Sequence, residues 1–144
     1  MTLEVKALTK IEWAQLAEQA HHASFGEFRP RTFDRIDFAL LIHDVEKQMP
    51  YGYITCLEHN AEILRWGFGG AFPFAKGTNI VHRGYVLALD WCRAKGWKDV
   101  ITLVKNDNYP SLRMHFKHHF KIVGVTAVAG EVLVELHKDL REDF

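Results

Sequence analysis

The chain has 144 residues, 48% of them hydrophobic and 25% charged, with 18 basic residues balanced by 18 acidic ones. This is the composition of one globular domain, large enough to bury about 70% of its unfolded surface without staples. The balance lacks the basic excess of proteins that grip nucleic acid through its phosphates, and no apolar run approaches the ~18 residues of a membrane span.

The N-terminal MTLEVKALTK has no apolar signal core, so a cytoplasmic protein is expected. Thr2 to Leu8 alternates as a first strand. Thr9 is placed to cap a helix running to about Ala23, in which Ile11, Trp13, Leu16, Ala17 and Ala20 recur at helical spacing. Arg29 to Asp34 reads as a second short helix or a loop, with Pro30 near its start. Three strands follow, Asp37 to Asp44, Tyr51 to Leu57 and Glu62 to Phe72, separated by VEKQMP and by His59-Asn60. Short turns between consecutive strands predict an antiparallel meander. Gly67, Gly69 and Gly70 stand inside the third of these strands, and glycine there marks a bulge or a place where a ligand meets the backbone.

The next helix is expected over Asn79 to Lys95, capped by Thr78 or Asn79 and closed by a left-handed Gly96. Asp99 to Lys105 is a strand of buried type, and Asn108 to His118 a short helix with Pro110 in its first turn. Phe120 to Ala127 and Glu131 to His137 form a hairpin around Ala129-Gly130. The order predicts a single domain over residues 1–144 with a mixed α/β sheet. Cys56 and Cys92 both lie in apolar segments and read as buried free thiols.

Pro73 to Val81, PFAKGTNIV, runs from a strand into a helix. Such a junction offers unpaired N–H groups and the positive end of the helix dipole to an anion, and Lys76 adds a charge. The stretch resembles the pyrophosphate loop of the GNAT superfamily of N-acetyltransferases, Arg/Gln-x-x-Gly-x-Gly/Ala. Lys76 falls on the Arg/Gln position, Asn79 on the first glycine and Val81 on the second small residue, with Pro73 where the family often has proline. A second block, NYPSLRMHFKHHFKIVG, is similar to the family's Asn-x-x-Ala/Ser-x-x-Leu/Phe-Tyr-x-Lys-x-Gly-Phe pattern through Asn108, Ser111, Met114, Lys117, Phe120 and Val123-Gly124. Asn79 and Val81 depart from the loop glycines, His115 stands at the tyrosine, and His119 replaces the glycine before Phe120.

The resemblance implies a mixed, mostly antiparallel sheet of about six or seven strands flanked by about four helices. It implies acetyl-CoA or a related acyl-CoA as cosubstrate, no metal, and acylation of a small-molecule or protein amine. It assigns the pantetheine and thioester to the backbone of Phe68, Gly69, Gly70 and Ala71. The diphosphate falls to Lys76, Gly77, Thr78, Asn79, Ile80 and Val81, and the CoA channel to Asn108 and Ser111. Glu62, with Glu58 as competitor, is the candidate base, and His115 the candidate acid that protonates the leaving thiolate. Two rivals stand beside this reading: a partner-binding module on the same fold, which the missing glycines favour, and an acyltransferase acting on a nucleic-acid base, against which the neutral charge weighs. A membrane partner is not expected, and a homodimer is compatible with the reading. His115 and His119 have the i, i+4 spacing of metal-binding helices but no third ligand in sequence, and His21-His22 receives no role. Trp66, Phe68, Phe72 and Phe74 are read as core in preference to a substrate pocket.

Overall fold

The computed structural model describes residues 2–25, 36–72 and 79–142. Seven strands form one sheet in the order β1-β2-β3-β4-β5-β7-β6. They are β1 (Leu3–Thr9), β2 (Phe38–Asp44), β3 (Met49–Glu58), β4 (Ile63–Ala71), β5 (Asp99–Lys105), β6 (Lys121–Val128) and β7 (Glu131–Asp139). Three helices are described, α1 (Lys10–Phe25), α2 (Asn79–Ala94) and α3 (Tyr109–Lys117). The expected mixed, mostly antiparallel sheet is present. The segment expected as a helix or loop at Arg29 to Asp34, and Phe74 with it, lie outside the described residues.

Local chemistry sets the element ends. Thr9 Oγ1 accepts from the Glu12 amide at 3.1 Å, and Glu12 Oε1 accepts from the Thr9 amide at 3.0 Å, a reciprocal cap that starts α1. At the other end of α2, Gly96 takes φ +94°, and the Trp97 amide donates to Cys92 O at 3.1 Å, closing the helix as its glycine predicts. β3 begins earlier than the sequence suggests. Pro50 pairs with His43 beside a register shift at Ile42/His43, an irregularity that accommodates a residue without an N–H.

Alternation along the strands divides the core between two sheet faces. Ala39 and Tyr53 join Leu8, Trp13, Ala17 and Phe72 under α1. Leu40, Ile54, Cys56, Leu64 and Trp66 pack instead with Ala88, Leu89 and Cys92 of α2 and with Phe120. Trp66 and Phe72 are therefore core, as expected; Cys56 and Cys92 are buried free thiols.

One junction in the sheet is different from the rest. β4 and β5 run parallel, paired only from Ile63↔Asp99 to Trp66↔Thr102, whereas the other neighbours are antiparallel. Thr102 Oγ1 donates to Trp66 O at 3.0 Å where that ladder ends. Beyond it β4 continues along β3 to Ala71, while β5 continues along β7 to Lys105, so the sheet opens as a wedge. Just past the apex β4 carries two residues, Gly67 and Phe68, where β3 carries only Thr55. This bulge turns β4 away from β5. It depends on Gly67, because a Cβ there would stand 2.7 Å from Thr55 Oγ1.

Candidate functional site

A cavity of about 310 Å³ occupies the wedge and continues beneath the first turns of α2. Gly69, Gly70 and Ala71 bring their backbone to it from β4, Ile80 and Val81 from α2, and Asn108 and Ser111 from α3. Those seven sequence candidates come together in one place. At Gly69 an added Cβ would make ordinary contacts with β3, 3.4 Å from Tyr53 O and 3.7 Å from Ile54 Cγ1. Phe68 lies in the bulge of β4 and Asn79 opens α2. Lys76, Gly77 and Thr78 fall outside the described residues.

Asn108 serves its helix and faces the cavity. Its Oδ1 accepts from the Ser111 amide at 3.4 Å as the N-cap of α3, an arrangement in which the side-chain NH2 takes no part.

Glu62 and His115, the candidate base and acid, do not line this cavity. Glu62 stands before the first residue of β4, seven residues from Gly69, a separation of roughly 20 Å along a strand. Its carboxylate is exposed and paired with Lys98 Nζ at 3.0 Å. Glu58 pairs with Leu64 near the same end of β4, so it is equally remote. Among the described residues no carboxylate lines the cavity.

His115 is buried beside the cavity and does not line it. Ser111 and Met114 face the cavity, and the next residue is turned by about 100° around the helix into the packing between α3 and α2. There His115 Nδ1–H donates to Ser111 O at 2.7 Å, and its ring lies edge-on to Phe120 and Tyr85. Burial pushes its pKa down, against the raising effect of the Ser111 bond, so the imidazole is neutral near pH 7.

Residues that sequence reasoning missed complete the walls. Ile42, Tyr51 and Tyr53 come from β2 and β3, and Gly84 and Tyr85 from α2. Their sequence signal is that of ordinary strand and helix positions. Tyr85 stacks on His118 at 5.2 Å with planes 7° apart. His118 Nε2 lies 3.3 Å from His82 Nδ1. Burial, then the charges of His82 and Lys117, hold His118 down to about 4, so it stacks as a neutral ring. Among the described residues no three His, Cys, Asp or Glu side chains are placed to hold a metal ion, and no helix is long and apolar enough to cross a membrane.

No family model matches the sequence, and no curated protein sequence aligns with it significantly. Solved structures do match the fold. An IAA acetyltransferase from Bacillus cereus superposes with a TM-score of 0.73 at 11% identity, over 96% of this chain and 99% of that one. The spermidine/spermine N-acetyltransferase SpeG from Vibrio cholerae gives 0.72 at 13% identity, over 96% and 92%. A GNAT family acetyltransferase from Elizabethkingia anophelis, solved with acetyl-CoA bound, gives 0.72 at 10% identity, over 95% and 97%.

Proposed function

We propose that this chain, which has the fold of the GNAT acetyltransferases, transfers an acetyl group from acetyl-CoA to an amine. The observation that carries the reading is the wedge between β4 and β5. It presents bare backbone at Gly69 to Ala71 opposite Asn108 and Ser111, and runs to the N-terminal turn of α2. That shape suits a long ligand with an amide-bearing arm and an anionic end. The arm finds peptide groups and an Asn amide, and the diphosphate finds the unpaired N–H groups and positive dipole of α2. Lys76, Gly77, Thr78 and Asn79 belong to this diphosphate reading. With no carboxylate at the cavity among the described residues, the amine reaches the thioester already neutral or loses its proton to water. Positioning in a mostly apolar cleft supplies the rate.

The test is calorimetry with acetyl-CoA. A micromolar dissociation constant, on the order of 8 kcal/mol, is expected. Absence of heat and of any thermal shift at millimolar acetyl-CoA would overturn the reading. That outcome would favour a partner-binding module, a second reading supported by Val81, whose family counterpart is glycine or alanine and which here lines the cavity.

A further inference from the structure

Collapse of an acyl-thioester adduct expels a thiolate, and a thiolate released between apolar walls requires a proton donor at hand. Among the described residues that line the wedge, those carrying a hydroxyl are Tyr51, Tyr53, Tyr85 and Ser111. An aliphatic hydroxyl is far too weak an acid, and Ser111 Oγ is directed to His115 Nδ1 at 3.4 Å. Tyr51 and Tyr53 are rooted in the sheet: Tyr51 packs with Leu3 and Ile42, and Tyr53 lies beneath α1 with its ring 5.0 Å from Trp13.

Tyr85 is placed differently. It projects from α2 between the wedge and α3, and three rings fix its plane. His118 stacks flat against it, while Trp66 and His115 meet it edge-on at 6.1 Å and 5.4 Å. His82, one turn before Tyr85 on α2, has its Nδ1 3.3 Å from His118 Nε2. We infer that Tyr85 is the proton donor to the departing CoA sulfur, supplied from the helix that precedes β5 and not from α3. This inference rests on the acyl-CoA reading above.

The step balances as follows. The amine nitrogen bonds to the thioester carbonyl carbon. The C–S bond breaks as its electron pair moves to sulfur, and sulfur takes the phenolic proton. The phenolate then takes up the proton that the nitrogen releases, leaving amide, CoA thiol and an unchanged Tyr85. Burial raises the Tyr85 phenol and would raise a thiol in the same walls, as it pushes the buried Cys92 thiol up to about 12. The two reference values, ~10 and ~8.5, therefore move together, and the transfer stays within reach.

The test reads bound CoA itself and needs no amine. In the complex of protein with CoA, thiolate absorbance is followed against pH. A phenol donating to sulfur favours the thiolate, so Tyr85→Phe should raise the bound-thiol pKa by about one unit, a tenfold shift. CoA affinity at pH 6, where the thiol is protonated, should change less than twofold. Fluorotyrosine in place of Tyr85, a stronger donor of nearly the same shape, should move the bound-thiol pKa down; this arm holds if the Phe variant fails to fold. Intact CoA binding with one bound-thiol pKa in all three proteins overturns the role of Tyr85 and leaves the acyl-CoA reading standing. Failure of the unmodified protein to bind CoA overturns both.

Discussion

The two ends of β4 belong to one strand and behave as two materials. From Ile63 to Trp66 the strand is hydrogen-bonded on both sides, to β3 and to β5. That end is tied down further, because the Lys98 and Asp99 amides both donate to Glu62 O, at 2.9 and 3.2 Å, and the Glu62 and Lys98 side chains pair above them. From Gly69 to Ala71 the strand keeps only β3, and its other edge borders the cavity. The difference comes from a bulge and two glycines over a few residues. A sheet can thus be rigid at one end of a strand and present free peptide groups at the other, which is the combination a ligand-binding edge needs.

The largest test of the comparison is Gly69→Leu. The first side-chain carbon would make ordinary contacts with Tyr53 and Ile54, and the added bulk would stand at a residue that lines the cavity. Acetyl-CoA affinity should fall more than a hundredfold, about 2.7 kcal/mol, with the urea midpoint nearly unchanged. An unaltered affinity by calorimetry would mean that no ligand follows this edge. Gly67→Ala strikes the bulge itself. Its Cβ would stand 2.7 Å from the oxygen of the buried Thr55, so urea unfolding should show a loss of roughly 2 kcal/mol. A neutral result would show that the bulge has room to relax.

Thr102→Val removes the hydroxyl that bonds Trp66 O at the apex. It should cost about 1 kcal/mol in the same assay, the price of a buried acceptor losing a partner. Glu62→Gln, at the closed end, should do least. Its partner Lys98 is half-exposed, so stability should stay within about 0.5 kcal/mol and acetyl-transfer rates within twofold. A large rate loss there would return Glu62 to the site and break the comparison.

Much of the fold was legible because its signals are local. Asp99 to Lys105 was read from its apolar run, and the β6–β7 hairpin turns at Ala129 and Gly130, with φ of 50° and 81°, where the sequence placed it. The backbone edge along the cavity was legible for a similar reason: glycines inside a strand announce themselves. The side-chain half of the site was not. For Glu62, a strand read alone does not reveal which of its ends loses its neighbour; that depends on the register with a strand 36 residues away. For His115, a place in a sequence pattern is not enough, because one helical step separates a residue facing the cavity from one facing the core. Where α3 docks decides between them. Tyr85 and Ile42 carried no signal, since their roles exist only once α2 lies over β2. His119 shows the opposite case. It takes φ +66° at the end of α3, the conformation natural to the glycine that the resembled sequence pattern carries there.

The short parallel ladder has a consequence for how the molecule opens. β1 to β4 form one locally connected antiparallel unit and β5 to β7 another, and four residue pairs join them. The β2–β3, β3–β4 and β6–β7 neighbours are joined by short turns and close early, whereas the seam must await the crossover through α2. Amide hydrogen exchange should therefore find two cooperative units, with the seam as the least protected part of the sheet interior. A ligand lying in the wedge touches both units at once. Its binding free energy then works as a clasp, and the protection it adds should concentrate in Leu64 to Trp66 and Val100 to Thr102.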